Sequence, residues 1–261
     1  MTALTELFDL RGKTALITGG SRGLGLFIAD GFVRAGLKVI ISSRKKDACD
    51  QAVAELSKHG EAESIPADLS TVEGAKGLAE AVKTRAPKLD ILINNAGATW
   101  GATIEEFPES GWDRVMDTNA KGIFFLTREI VPSLRAAATA KDPARVVNVG
   151  SIAGTRARGV DNYAYLTSKA AVHHLTRALA TRLARDHITV NAIAPGPFPT
   201  KMMAFALETE EQRKCMSQGI PLGRIGTPDD MLGAATFLCS RAASYITGAV
   251  IPLDGGAADA T

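Results

Sequence analysis

Six short apolar runs punctuate the chain from one end to the other: TALIT (14–18), KVIIS (38–42), LDILIN (89–94), RVVNV (145–149), ITVNAIA (188–194) and AVIPL (249–253). Most are continuous rather than alternating, the pattern of a strand covered on both faces. A weaker run, ESIPA, lies at 63–67. Helical periodicity fills the intervals. Strand–helix alternation along the whole length predicts one α/β domain, a Rossmann-type doubly wound parallel sheet of about seven strands with helices on both faces. The 261 residues, 46% of them hydrophobic, supply the core such a sheet needs.

Local signals place several helix starts. Ser70-Thr71-Val72-Glu73 matches the S-x-x-E capping box. Thr227-Pro228-Asp229-Asp230 combines an N-cap threonine, a first-turn proline and two acids at the positive helix end. Over 163–185, Leu166, Ala170, His173, Arg177 and Ala180 mark one face. Val172, Leu175, Thr176, Leu179 and Leu183 mark another. Both faces are mostly apolar or small, so this helix is expected to meet the sheet on one side and another surface on the other. The segment 197–222, with Pro197, Pro199 and Pro221 around a helical stretch, reads as an insertion before the last strand and an expected substrate lid.

Charge and cysteines narrow the partners. A formal net charge of +2 gives no electrostatic case for nucleic acid. Cys49, Cys215 and Cys239 are widely spaced and odd in number, which fits a reduced interior and neither a disulfide framework nor a zinc site. The opening MTALTELFDLRGK lacks an apolar stretch of signal-peptide length, and no run approaches a membrane span, so the expectation is a soluble, cytoplasmic protein without membrane partners. His173 and His174 lack H-E-x-x-H spacing, so they read as surface or subunit contacts and no metal is expected. Ser151 lacks a G-x-S-x-G setting, which argues against a hydrolase.

At the end of the first apolar run, TALITGGSRGLG places Gly19, Gly20, Gly23 and Gly25 between a strand and a helix. Glycine is costly in chain entropy, so this density implies a specialised path. In a parallel sheet, ligands bind beyond the carboxyl ends of the strands, and a helix N-terminus there can take a pyrophosphate. The spacing is not G-x-G-x-x-G, and glycines also serve close helix–sheet packing.

T-G-x-x-x-G-x-G at 18–25, N-N-A-G at 94–97, Asn119, Ser151, Y-x-x-x-K at 165–169 and Pro195-Gly196 together resemble the short-chain dehydrogenase/reductase family, in order and across essentially the whole chain. Within it, the chain is most similar to the 3-oxoacyl-carrier-protein reductases. TWGA (99–102), PARVVNVGS (143–151) and IPLGRIGTPDDM (220–231) resemble the rhamnolipid-biosynthesis β-ketoacyl reductase branch. The resemblance implies that the glycines make room for a dinucleotide. It implies cofactor contacts from Gly19, Ser21, Arg22, Gly23, Leu24, Gly25, Ser43, Asp68 and Leu69, the last two near the adenine. It extends them to Asn95, Ala96, Gly97, Tyr165, Lys169, Pro195, Gly196 and Thr200. Asp68 also reads as a helix-start acid beside Ser70.

The second run chooses between cofactors. An acid at its end would favour NAD, and a nearby arginine accommodates the 2′-phosphate of NADP. VIISSRKK (39–46) ends without an acid and offers Ser42, Ser43 and Arg44, with Arg22 in the glycine turn as a second cation. Guanidinium forks bind phosphate oxygens in bidentate fashion, so NADP(H) is expected.

Ketone reduction needs a hydride and a proton donor at the developing alkoxide. Tyrosine, with a reference pKa of about 10, needs help to cycle near neutrality, and an ammonium one helical turn away favours phenolate. Of Tyr163 and Tyr165, only Tyr165 stands four before Lys169, so Tyr165 takes the acid/base role and Tyr163 a packing or pocket role. The resemblance adds Lys169 on the nicotinamide ribose, Ser151 on the substrate carbonyl, and Asn119 organising a relay water. Apolar Met202, Met203, Phe205 and Leu207 in the lid favour a small-molecule or carrier-linked acyl substrate, hence 3-oxoacyl reduction. Polyol or sugar-acid oxidation and non-catalytic dinucleotide sensing are the alternatives. A homotetramer is what the family resemblance and the two-faced 163–185 helix imply.

Overall fold

A computed structural model describes residues 2–157, 161–203 and 209–258. Seven parallel strands form one sheet in the order β3-β2-β1-β4-β5-β6-β7. They are β1 (Thr14–Thr18), β2 (Lys38–Ser42), β3 (Ala62–Ser64), β4 (Ile91–Asn94), β5 (Ala144–Val149), β6 (Ile188–Pro195) and β7 (Val250–Leu253). Around the sheet run α1 (Leu4–Leu7), α2 (Gly23–Arg34), α3 (Lys46–Leu56), α4 (Val72–Arg85) and α5 (Glu109–Met116). They continue with α6 (Gly122–Ala137), α7 (Tyr163–Leu183), α8 (Glu210–Gln218) and α9 (Pro228–Cys239). The expected doubly wound parallel fold is the fold that forms.

Continuous apolar runs become strands covered on both faces because neighbouring residues point to opposite sides of the sheet. Ile17 joins a core with Phe32 of α2, Leu56 of α3 and Met231 of α9. Its neighbour Leu16 joins a second core with Leu78 of α4, Leu126 of α6 and Leu183 of α7. Strand order reverses at β1, which pairs with β2 on one side and β4 on the other. That switch point opens a crevice at the carboxyl ends of the strands, where the connections diverge.

Some expected boundaries move. The weak third strand is Ala62–Ser64, not 63–67. The cap of α4 is Thr71, whose oxygen accepts from the N–H of Gly74; Ser70 instead donates through both N–H and Oγ to Asp68 Oδ1. Asp68 thereby occupies the group that the S-x-x-E reading assigned to capping. At α9 the expected cap forms, with Thr227 and Asp230 bonded reciprocally. The buried residues of α7 follow one stripe through Ala164, Ser168, Val172, Thr176, Ala180 and Leu183, while Ala170 and Arg177 are exposed. The lid expected at 197–222 is described in part: Lys201–Met203 forms a single 3-10 turn and α8 follows. Phe205, Leu207 and the side chain of Met202 lie outside the described residues.

Candidate active site

At the switch point, the carbonyl of Ser42 accepts from the N–H of Gly19 at 2.7 Å and of Gly20 at 3.3 Å, which folds the glycine turn back against β2. A Cβ on Gly19 would stand 2.7 Å from Asn95 Nδ2, and one on Gly25 would collide with that nitrogen too. A Cβ on Gly20 would meet Ile41. Those glycines make room for the protein's own side chains, the close packing that glycines in such a turn also serve. Gly23 shares a positive φ (+56°) with Gly19 (+66°) but is less crowded: among the described residues only Thr200, 3.4 Å away, faces a Cβ built there. The helix it opens has no side-chain cap at Arg22, so the first N–H groups of α2 are left for an anion.

Asn95 is the clasp of this turn. Its Nδ2 donates to the carbonyls of Thr18 (2.9 Å) and Gly19 (3.2 Å). Thr18, which sequence reasoning passed over, does the reverse. Its buried Oγ1 accepts from the N–H groups of Asn95 (2.9 Å) and Ala96 (3.0 Å) and donates to the carbonyl of Ile93. A threonine at a strand end carries no local mark of such a role.

Beyond β2, Ser21 Oγ donates to Ser43 Oγ at 2.9 Å, and Cys49 Sγ lies 3.2 Å from that oxygen. Arg22 and Arg44 are exposed, and among the described residues neither has an ion pair, whereas Lys46 is tied to Asp50. Burial works against the Asp68 carboxylate, but the Ser70 hydrogen bonds and the Arg44 charge outweigh it and hold its pKa below the usual range. Leu69 is buried beside it. Pro195 ends β6, the N–H of Gly196 donates to the carbonyl of Leu253 at 3.0 Å, and Thr200 follows against Gly23.

The expected chemical residues converge on one side of this turn. A π-helical turn, Asp117–Lys121, carries Asn119. The buried Asn119 side chain accepts from the N–H of Ala98 (2.7 Å) and donates to the Ala98 carbonyl and to Ser168 Oγ, both at 2.9 Å. Ser168 in turn donates to the carbonyl of Tyr165, so Asn119 clips the turn after β4 to α7. A Cβ on Gly97 would be 3.5 Å from Asn119 Oδ1 and 3.9 Å from Lys169 Nζ. Lys169 Nζ donates to the carbonyl of Val149 at 2.8 Å and lies 5.5 Å from the centre of the Tyr165 ring. Ser151, two residues beyond Val149, faces Tyr165 closely enough to lower its phenol pKa, and its Oγ accepts from the N–H of Ala153 at 3.1 Å. Tyr163 points elsewhere: its hydroxyl donates to Asp161 and its ring meets Phe107 edge-on.

Electrostatics differ from the sequence expectation of an ammonium pulling Tyr165 toward phenolate. Burial dominates and pushes the Tyr165 phenol up, with the Ser151 hydrogen bond acting against it. Burial alone brings Lys169 down to about 8. In this state the phenol keeps its proton and the buried amine is the easier of the two to discharge. His173 also departs from expectation: it is buried, not a surface contact, and neither ring nitrogen has a hydrogen-bond partner. His174, next to it, is exposed.

The family described as Enoyl-(Acyl carrier protein) reductase matches residues 19–258. A Rhamnolipids biosynthesis 3-oxoacyl-[acyl-carrier-protein] reductase of Pseudomonas aeruginosa is 47% identical over 249 residues, covering 95% of this chain and 97% of that protein. The chain belongs to the short-chain dehydrogenase/reductase family. A Gluconate 5-dehydrogenase of Gluconobacter oxydans is 35% identical over 96% of each chain. Among solved structures, a Pseudomonas aeruginosa RhlG/NADP active-site complex superposes with a TM-score of 0.94 at 46% identity, over 97% of this chain and 99% of the other. This is a family of oxidoreductases that use NAD(P). Among the described residues no helix is long and apolar enough to cross a membrane.

Proposed function

We propose that this protein uses NADPH to reduce the ketone of a 3-oxoacyl thioester to the 3-hydroxyacyl product. The observation that carries the reading is Lys169 Nζ held on the Val149 carbonyl, 5.5 Å from the centre of the Tyr165 ring, with Ser151 facing the same phenol, which burial keeps protonated. NADP fits the residues at the mouth of the turn: an uncapped α2 start, unpaired Arg22 and Arg44, and no acid at the end of β2. Gly19, Ser21, Gly23, Leu24, Gly25, Ser43, Asp68, Leu69, Asn95, Ala96, Gly97, Pro195, Gly196 and Thr200 complete the proposed cofactor wall. When bound, the reduced nicotinamide supplies a hydride to the carbonyl carbon.

Ser151 hydroxyl holds the carbonyl oxygen beside Tyr165. As that oxygen gains negative charge, Tyr165 gives it the phenolic proton. Lys169, close to the ring, stabilises the phenolate left behind, and its ammonium also holds the ribose hydroxyls. Asn119 keeps the turn after β4 in register with α7 and orders the water through which Lys169 is re-protonated. The 197–222 segment serves as the lid over the acyl chain. A cytoplasmic homotetramer is the proposed assembly, supported by the exposed outer face of α7 that carries Thr167, Ala170, His174 and Arg177. Rates with 3-oxoacyl thioesters of increasing length, with NADPH and with NADH, test the reading. Brisk turnover of a polyol or sugar acid with no response to acyl chain length would replace it with a sugar-acid dehydrogenase.

A further inference from the structure

Tyr165, Lys169 and His173 follow one another at intervals of four along α7, so His173 lies one turn behind the reducing centre. The ring is 3% exposed and packs under the turn that leaves β5. A Cβ on Gly150 would collide with His173 Nε2 and lie 2.8 Å from Cδ2, and one on Gly154 would lie 2.6 Å from Cε1. At Gly150 the ring is what a Cβ would strike first; at Gly154 a Cβ would also lie 2.7 Å from the backbone carbon and oxygen of Lys169, so there glycine admits both the ring and the α7 backbone. Gly150 also sits between two working residues: the carbonyl of Val149, just before it, takes Lys169 Nζ, while Ser151, just after it, faces Tyr165.

The ring is not there for its hydrogen bonds. Both nitrogens lack a partner, an unfavourable state that an apolar side chain would avoid. Nor does it carry protons at neutral pH. Burial, with the charges of Lys169 and Arg177 facing it, brings its pKa down to about 4. What remains is shape: a flat ring of fixed thickness, pressed against a backbone that has no side chain to yield.

We propose that His173 is a positioning residue for ketone reduction, a spacer whose ring sets the distance of the 150–154 turn from α7 and so places Ser151 beside Tyr165. The proposal rests on the reading of Ser151, Tyr165 and Lys169 as the reducing centre. It requires that His173 act through Ser151.

The test compares His173→Ala, Ser151→Ala and their double variant, with Gly150→Ala alone and combined with His173→Ala. Each is assayed with NADPH and acetoacetyl-coenzyme A, with NADPH Kd from fluorescence. His173→Ala is expected to lower kcat about tenfold while Kd stays within about twofold, as misplacement of a reacting group does. In the Ser151→Ala background the same change should cost less than about twofold, because coupled residues are not additive. Gly150→Ala should be severely impaired, and the added His173→Ala should recover part of the loss by vacating the space. Moving Ser151 away from Tyr165 removes what lowers the phenol pKa, so the pH profile of alcohol oxidation should move to higher pH in His173→Ala. An equal loss in both backgrounds, wild-type kcat in His173→Ala, or no recovery in the Gly150 pair overturns the proposal. Full kcat in Ser151→Ala would instead overturn the reading of the centre itself. If His173→Ala does not fold, His173→Leu, which fills the volume without the flat ring, is read by the same outcomes.

Discussion

Replacing Thr18 by valine keeps the size and branching of the side chain but deletes the oxygen that two backbone N–H groups share. Thr18 is 1% exposed, so no water replaces that oxygen for Asn95 and Ala96. Each buried amide left without an acceptor costs about 1–3 kcal/mol. The hydroxyl's own bond to the Ile93 carbonyl disappears with it, and the new methyl returns at most about 0.8 kcal/mol. The net loss expected for Thr18→Val is therefore about 2–6 kcal/mol. Thr18→Ser keeps the oxygen and loses one buried methyl, for about 1 kcal/mol. Urea titration of both variants by circular dichroism gives the two differences. NADPH affinity should follow the same order, because the amides of Asn95 and Ala96 shape the turn that Asn95 clasps to Gly19. A Thr18→Val protein as stable as Thr18→Ser, with unchanged NADPH Kd, would refute the assignment of this oxygen as the anchor of the turn.

Tyr165→Phe should abolish turnover yet bind NADPH, whereas Tyr163→Phe, which loses only a bond to exposed Asp161, should keep most activity in steady-state assays. Arg44→Ala should weaken NADPH binding at least about tenfold and leave NADH within about twofold, since NADH lacks the 2′-phosphate that the guanidinium is proposed to hold; parallel fluorescence titrations decide it. Lys169→Met should be inactive but more stable. Burial holds the folded amine at about 8 against its ordinary 10.5, so the unfolded chain binds more protons between those values and wild-type stability rises with pH through that window. Below about pH 8 the folded state bears the full burden of the buried charge, about 3 kcal/mol. Urea midpoints at pH 7 and pH 10 should therefore differ more for the wild type than for Lys169→Met.

The parallel sheet was legible because a doubly covered strand leaves a strong mark: unbroken apolar runs such as ITVNAIA are buried at every position of β6. The order of motifs likewise located Asn119, Ser151, Tyr165 and Lys169, which the fold brings to one end of α7. What escaped the sequence depends on contacts between distant segments. The helical wheel of α7 placed His173 on an outer face with Ala170 and Arg177, and so it would be if the turn after β5 did not lie across it. Gly150 and Gly154 record that packing, but glycines in a strand-to-helix loop look like ordinary turn residues until the ring beneath them is seen. The same holds for the first turn. Its glycines are dense because Asn95, some seventy residues away, occupies the space beside Gly19 and Gly25. Glycine density thus has a cause the sequence does not display: close packing of the chain on itself fixes the turn, and with it the place of Gly23 and the start of α2, where the proposed function puts a phosphate.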